Sequence, residues 1–380
     1  MTIKRLGLEL IKKKLEPGKV VLLYGPRRVG KTFLLTQLQE QLKNQEKIAY
    51  FAGDRAIVQK TLSSLNPEAM RQFIGQETTL LIIDEAQKIP QIGDNLKLLV
   101  DSYPKLKIIA SGSASLSLAQ KVGEPLTGRK KTLLLYPISA KEIIQTKNQG
   151  FYLETLEERL IFGSYPEIFQ KGSWTEKQEY LLELVDSYLF KDILELEQLK
   201  HSKKLVDLLT LIAFQIGQEV SLSELGNRLD FHKDTVARYL DLLEKAFILV
   251  NIRGFSRNLR KEISKTSRYY FWDNGIRNAV INQFNPLNQR NDLGQLWENY
   301  LIIERLKKQS YEQIFSRNFF WRTYSQAEID WVEEREGKLF GFEIKWSPRK
   351  KIKPPKDWLK TYDNASWQLI TQENFLEFIA

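Results

Sequence analysis

The sequence predicts an α/β protein led by a doubly wound parallel sheet, and three observations predict it. An apolar run, Val20 to Tyr24, passes directly into a glycine-punctuated turn and then a helical stretch. A second apolar run, residues 78–83, ends in the adjacent carboxylates Asp84 and Glu85. Through residue 137 such strands alternate with helices, the arrangement in which crossover helices join parallel strands and ligands collect at the strand carboxyl ends.

The turn after the first strand reads Gly25-Pro26-Arg27-Arg28-Val29-Gly30-Lys31-Thr32 and fits G-x-x-x-x-G-K-[ST] at every fixed position. A polyphosphate can be wrapped only by backbone N–H groups that approach it closely, and side chains at Gly25 and Gly30 would obstruct that approach. Lys31 is expected to reach the outer phosphates and Thr32 to place its hydroxyl on Mg2+. The helix continuing through Phe33 turns its unpaired N–H groups and positive end toward the same anion. Residues 25–33 are therefore the expected site for ATP with Mg2+.

Asp84, at the carboxyl edge of a buried strand, can accept from water on the Mg2+ that Thr32 also holds, and Glu85 can orient and deprotonate the attacking water. A carboxylate at the Glu85 position points to hydrolysis as well as binding. The next apolar strand, residues 107–110, is followed by Ser111-Gly112-Ser113. Either Ser111 or Ser113 can sit between the γ-phosphate and the water as a phosphate sensor. Arg129 precedes the strand-like TLLLY and is the candidate arginine finger given to a neighbouring subunit, which would make the protein a homo-oligomer.

At 380 residues the chain exceeds one ordinary core. The expected division is 1–137 for the ATPase domain, 138–202 for a helical lid, 203–258 for a winged helix-turn-helix and 259–380 for a nuclease-like α/β domain. Lys and Arg number 57 against 47 Asp and Glu, a formal charge of +10 that favours a polyanionic partner such as DNA. There is no cysteine, and only His201 and His232 are imidazoles, so disulfides and thiolate zinc sites are excluded and any metal site is built from oxygen, as Mg2+ or Mn2+ prefers. No apolar run approaches the roughly 18 residues of a membrane span. The N-terminal stretch KRLGLELIKKKL is interrupted by charge and lacks a signal-peptide core, so a cytoplasmic location with no membrane partner is expected.

Residues 138–200 read as helical with a break at 162–167, and the Leu and Ile repeat at 181–196 is core or interface. From 203 the pattern is three short helices. Ser221-Leu222-Ser223-Glu224 has the capping-box form, and a third helix opens at His232 with Lys233, Thr235 and Arg238 outward. With Arg253, Arg257, Arg260 and Lys261 on or after a wing, this suits either major-groove recognition or a protein-packing module.

Near the C-terminal end, residues 326–332 alternate like a strand, Glu336-Gly337 marks a turn, and residues 339–346 alternate again. A turn centred between Glu336 and Gly337 sets Asp330 opposite Glu343, and period-two geometry brings Lys345 to the same face. Asp330 and Glu343 would bind Mg2+ or Mn2+, Glu298 from a helix at 294–305 would complete the shell, and Lys345 would position or activate water near a phosphodiester. The basic run Arg349, Lys350, Lys351, Lys353, Lys356 and Lys360 that follows suits attraction to a phosphate backbone.

With these residues together the chain resembles a family of prokaryotic AAA-type ATPases whose C-terminal portion is a domain of unknown function with a restriction-endonuclease-like core. The resemblance rests on GPRRVGKT (25–32), LLIIDEAQ (80–87), SGS (111–113), LTGR (126–129), GSYPE (163–167), YLFKDI (188–193), YFWDNGIR (270–277), AEIDWV (327–332) and FEIK (342–345). It implies ATP hydrolysis, a winged-helix middle and a nuclease-like end. Ser111 stands where relatives more often show Thr, and Ile329 where the nuclease pattern has Pro. The leading expectation is an ATPase acting on DNA with a metal site competent for cleavage. The alternative is a nucleotide-gated switch or protein-remodelling ATPase whose nuclease-like domain only binds.

Overall fold

Uninterrupted apolar residues suit strands covered on both faces, and in the computed structural model β1 (Val20–Tyr24) and β3 (Leu80–Asp84) are buried interior strands of a parallel sheet. The structure describes residues 3–112, 126–190, 202–256, 267–323, 327–347 and 352–380. The chain divides into two units, one of Lys4–Ile138 with Lys245–Phe247, the other chiefly of Ser139–Glu244 and Ile248–Ala380.

In the first unit, β2 (Ile48–Ala52), β4 (Lys107–Gly112) and β5 (Lys130–Leu134) join β1 and β3 in the order β2-β3-β4-β1-β5. Every pairing is parallel. Because β4 lies between β1 and β3, the ends of all three strands open onto one edge of the sheet. Helices α1 (Leu6–Lys14), α2 (Lys31–Leu42), α3 (Ala56–Leu62), α4 (Pro67–Ile74) and α5 (Ile92–Ser102) connect or flank the strands. Leu22, Ile83 and Ala110 from the sheet pack with Val58, Met70 and Leu96 from α3 to α5 in one apolar core.

The second unit begins with α6 (Ala140–Thr146), α7 (Gln149–Glu154), α8 (Leu156–Phe162) and α9 (Trp174–Leu184), the first and last opened by complete capping boxes, Ser139 with Glu142 and Ser173 with Glu176. Three helices follow, α10 (Ser202–Phe214), α11 (Leu222–Leu229) and α12 (Lys233–Lys245). Strands β6 (Glu219–Val220), β7 (Leu249–Gly254) and β8 (Ser267–Phe271) belong to a seven-stranded sheet with β9 (Arg317–Arg322), β10 (Glu328–Arg335), β11 (Lys338–Ile344) and β12 (Ala365–Ile370). Its order is β12-β11-β10-β9-β7-β8-β6, and β7 pairs in parallel with β9. The division expected at 258/259 thus falls between β7 and β8, which are hydrogen-bonded neighbours.

Between α8 and α13 (Asn274–Val280) sits a buried joint that explains two of the sequence motifs. Asp273 accepts from the backbone N–H of Ser164 at 2.7 Å and of Gly275 at 2.9 Å, and also from that of Ile276. Gly163 has φ +71°, and a Cβ there would lie 1.8 Å from Asp273 Oδ1, so glycine is required both by conformation and by space. Burial pushes the Asp273 carboxyl up to about 6, against the pull of its backbone donors. The long helix α14 (Leu293–Glu312) covers the sheet through a buried ion pair, Arg305 donating to both oxygens of Glu333 at 2.6 and 2.9 Å.

The hairpin of β10 and β11 turns at Glu336 and Gly337, both at positive φ, the conformation of a primed two-residue turn. Trp331 pairs with Phe342, and one further step sets Asp330 opposite Glu343. Against β9 the register shifts between Ile329 and Val332, so a β-bulge falls at Asp330 and Trp331, a device that re-aims side chains. The joint at Asp273 makes a stability prediction: Asp273→Asn, which turns an amide nitrogen toward at least one of these N–H donors, lowers unfolding free energy by about 1–3 kcal/mol, measured as a lower urea midpoint at unchanged m-value.

Candidate functional site

Gly25 and Gly30 adopt φ +152° and +92° at the two ends of the loop after β1, and a Cβ on Gly25 would lie 2.2 Å from the Leu135 carbonyl oxygen. The loop is thus closed down onto the segment after β5 in a way only glycine permits. Lys31, at the first position of α2 and 6% exposed, donates from Nζ to the carbonyls of Gly25 (2.9 Å) and Pro26 (2.8 Å). Burial pulls its ammonium down to about 8, while Glu85 and Asp84 pull the other way. Pro26, Arg27, Arg28 and Val29 line the loop between the glycines, with Arg28 at φ 59°, and Phe33 is half exposed immediately beyond Thr32.

Asp84 is buried at the end of β3 and gathers three hydroxyls. Thr32 Oγ1 donates to its Oδ2 at 2.6 Å, Tyr50 from β2 donates to the same oxygen at 3.1 Å, and Ser111 from β4 donates to Oδ1. Ser111 Oγ in turn accepts from the Glu85 N–H at 3.2 Å. Glu85 itself sits at φ 53°, in the left-handed region, and Gln87 donates to its carboxylate. Its carbonyl leaves no room for a side chain at residue 53, where a Cβ would come within 2.5 Å; Gly53 fills that position. An all-oxygen set of Thr32 and Asp84, side by side at a strand end, fits the hard donors that Mg2+ takes.

The other expected residues of this unit are placed differently. Ser113 lies outside the described residues. Arg129 precedes β5 at the opposite edge of the sheet from the loop, since Val20 at the start of β1 pairs with Lys130, and its Nε is paired with Asp101. Tyr50 and Gly53 carry no signal in the sequence, and Gln87 stands in the LLIIDEAQ motif with no role assigned to it. Gln87 lies at the end of that motif, two residues from Glu85, whereas Tyr50 reaches Asp84 from a neighbouring strand, a relation visible only once the strand order is known.

In the second unit a cavity of about 610 Å3 is lined by Glu298, Asp330 and Lys345 together with Arg268, Arg322 and Glu328. Asp330 Oδ2 accepts from the backbone N–H of Ile344 at 2.9 Å and from Lys345 at 3.4 Å, and Lys345 lies 2.7 Å from Glu343. Glu298 Oε1 accepts from Tyr270 at 2.7 Å. Burial first, then the Asp330 charge, push Glu298 up to about 8 and Glu343 up to about 7. Burial opposes the Lys345 charge, yet Asp330 and Glu343 hold its pKa raised. Glu343 Oε2 is buried with no hydrogen-bond partner.

Two residues missed from the sequence, Arg268 and Tyr270, share one face of β8 by strand alternation. Arg268 is buried, pairs with Glu328 at 2.9 Å and Asp330 at 3.6 Å, and lies over the Phe320 ring. The expected metal shell of Glu298, Asp330 and Glu343 needs correction, because among the described residues no group of three or more His, Cys, Asp or Glu is arranged to hold a metal ion. Arg268 and Lys345 engage Asp330, Lys345 engages Glu343, and the Tyr270 hydroxyl donates to Glu298, so the three carboxylates do not converge as a metal cage as they stand.

Helix α12 exposes Lys233 and Arg238, but across its length Lys233, Arg238 and Lys245 are matched by Asp234, Asp241 and Glu244. Arg257, Arg260 and Lys261 lie outside the described residues, as do His201, Arg349, Lys350 and Lys351. Arg253 on β7 and Lys353, Lys356 and Lys360 are exposed.

Residues 17–144 match the family described as an AAA domain, residues 153–287 a domain of unknown function (DUF8612), and residues 293–374 a domain of unknown function (DUF4143). An uncharacterized protein of Mycobacterium tuberculosis is 26% identical over 340 residues, covering 88% of this chain and 72% of the relative. One from Methanocaldococcus jannaschii is 25% identical over 341 residues, covering 86% and 74%. Among solved structures, AMPPCP-bound DnaA from Aquifex aeolicus covers 63% of this chain and 87% of its own at 19% identity and a TM-score of 0.32. Pif1 helicase from Candida albicans covers 48% of each chain at 16% identity and a TM-score of 0.25. Both are remote likenesses and bear on nothing further. The chain therefore carries an AAA-type P-loop ATPase domain, which implies ATP binding and hydrolysis with Mg2+, and a DUF4143 domain. None of the three descriptions names a nuclease or a winged helix. Among the described residues no helix is long and apolar enough to cross a membrane.

Arg268 is expected to stabilise the cavity wall by countering Asp330 and Glu328. Arg268→Met removes the guanidinium from buried carboxylate and lowers stability by about 3 kcal/mol, read by chemical denaturation at pH 7.

Proposed function

We propose that this chain is an ATP-hydrolysing, nucleotide-gated switch in which turnover at the loop of residues 25–33 drives a change in what the second unit binds. The observation that carries this reading is the Asp84 clasp, which sets Thr32, Ser111 and the Glu85 backbone around one carboxylate. A triphosphate at the loop takes the N–H donors of Lys31 from the Gly25 and Pro26 carbonyls and favours its charged form. Thr32 and Asp84 would hold Mg2+, which supplies positive charge against the phosphate oxygens. Glu85, held by Gln87 and by the turn at Gly53, accepts the proton of the attacking water as it adds to the γ-phosphorus and ADP leaves. Ser111 reports the phosphate to Glu85, to whose N–H it is already bonded; Ser113 remains the alternative for that sensing role. Arg129, away from this chain's own loop, serves a neighbouring copy if it acts as a finger.

Binding rather than cutting by the second unit is favoured by two features. The exposed face of α12 is charge-balanced, which suits a winged helix used for packing against protein more than one entering a major groove. The cations of the cavity are each engaged by carboxylates, Arg322 by Glu219, Arg268 by Glu328 and Lys345 by Glu343.

A second reading, action on DNA by a restriction-endonuclease-like site of Asp330, Glu343 and Lys345 with Mg2+ or Mn2+, is favoured by the bulge at Asp330 and the unpartnered Glu343 Oε2. Bulges recur beside active sites.

Two experiments separate these readings. Glu85→Gln lowers kcat for ATP by on the order of a hundredfold or more while ATP binding persists, and Lys31→Ala abolishes binding. Wild-type turnover that rises strongly with DNA would overturn the protein-switch version. For the second reading, labelled single- and double-stranded DNA is incubated with Mg2+ or Mn2+, with and without ATP. Cutting by wild type that Lys345→Ala loses, with ATPase activity kept, establishes it; no cutting under any of these conditions removes it.

A further inference from the structure

Arg5 opens α1 and is 4% exposed. Its guanidinium donates to the carbonyl of Val29, inside the phosphate loop, at 2.7 Å and to the carbonyl of Tyr136, just after β5, at 2.6 Å. A Cβ on Gly30 would have Arg5 Nη1 as its nearest neighbour, at 3.7 Å. The side chain therefore braces the loop at the junction between its last two residues before Lys31.

We infer that Arg5 is a positioning residue of the nucleotide site, which fixes the Val29–Gly30 peptide so that its N–H is presented to the phosphates. The inference rests on the loop binding ATP. Across a trans peptide the C=O and the following N–H point in opposite directions, and the described residues contain no cis bond. With the Val29 oxygen drawn back onto Arg5, the Gly30 N–H must face the other way, toward the concavity that an anion would fill. A flip of this peptide, which glycine's freedom at φ +92° makes accessible, would aim a carbonyl oxygen at the phosphate instead. The bond to Tyr136 ties the guanidinium to the end of the sheet, so the brace stays in place when the loop moves. Lys31 cannot do this work, because its own Nζ is bonded to the carbonyls at the other end of the loop.

The test uses the full chain as wild type, Arg5→Gln and Arg5→Lys, with thermal unfolding as the check on folding. Steady-state hydrolysis of Mg-ATP and calorimetric binding of Mg-ADP are measured for each. A charged hydrogen bond lost from an anion-binding loop raises KM and Kd roughly tenfold or more in Arg5→Gln, with kcat changed by less than about threefold, and Arg5→Lys, able to reach one carbonyl, falls between. A folded Arg5→Gln protein with wild-type KM and Kd, or with a loss confined to kcat, overturns the assignment. So does failure of both variants to unfold cooperatively, which would make Arg5 a residue of the fold alone. A wild-type chain that binds no nucleotide sinks the function as well, whereas normal binding by Arg5→Gln sinks only the role of Arg5.

Discussion

The first unit depends on a single buried carboxylate finding enough donors. Asp84 is 5% exposed at the end of a strand covered on both faces, where an ionised acid without partners is strongly disfavoured. Thr32, Tyr50 and Ser111 satisfy it from three different elements. They can do so because β4 is inserted between β1 and β3, with β2 on the far side. Separating β2 or β4 from β3 would carry the Tyr50 or the Ser111 hydroxyl away from this carboxylate. The same carboxylate that organises the strand ends is thereby held beside the phosphate loop, so the demand for stability and the geometry of the site are one constraint.

The second unit is organised by its sheet. A wing standing apart from the domain that follows would leave β7 with an open edge, yet β7 takes β9 on one side and β8 on the other. The strands β6 to β8, which follow or interleave with helices α10 to α12, and the C-terminal hairpin therefore share a continuous hydrogen-bonded layer. The aromatic cluster of Phe255, Phe319, Trp358 and Tyr362 spans the junction, since Phe255 follows β7 and the others come from the C-terminal strands and helix.

Local patterns in the sequence disclosed what local chemistry decides. The loop at 25–32, the acidic strand end and the turn at Glu336-Gly337 are each specified by adjacent residues, because phosphate wrapping, strand burial and primed turns need particular residue types at fixed spacing. Arg5, Tyr50 and Arg268 were invisible for the opposite reason. Each acts on residues far along the chain, Arg5 on Tyr136 and Arg268 on Asp330, and no periodicity announces such a partner. The helical pattern and its basic tail end at residue 258, which places the expected division there, but parallel pairing of β7 with β9 is a long-range event that leaves no trace in either segment. The shell of Glu298, Asp330 and Glu343 was argued from residue type and order, and these say nothing of the basic side chains that other strands bring to the same place.

Those basic side chains decide what the cavity can accept. Glu219, Glu298, Glu328 and Asp330 line it against Arg268, Arg322 and Lys345, so the formal charge of the wall does not favour an anion despite the +10 of the whole chain. The raised acids Glu298 and Glu343 express the same excess, since burial beside Asp330 makes a further negative charge costly. A polyanion entering here must either displace carboxylates from their partners or bring positive charge with it. A ligand carrying its own cation avoids the first of these, because it leaves Asp330 with Arg268 and Lys345, and Arg322 with Glu219, as they are paired. The positive excess of the chain must then lie elsewhere on its surface, as at Lys353, Lys356 and Lys360, where solvated charge steers partners without selecting among them.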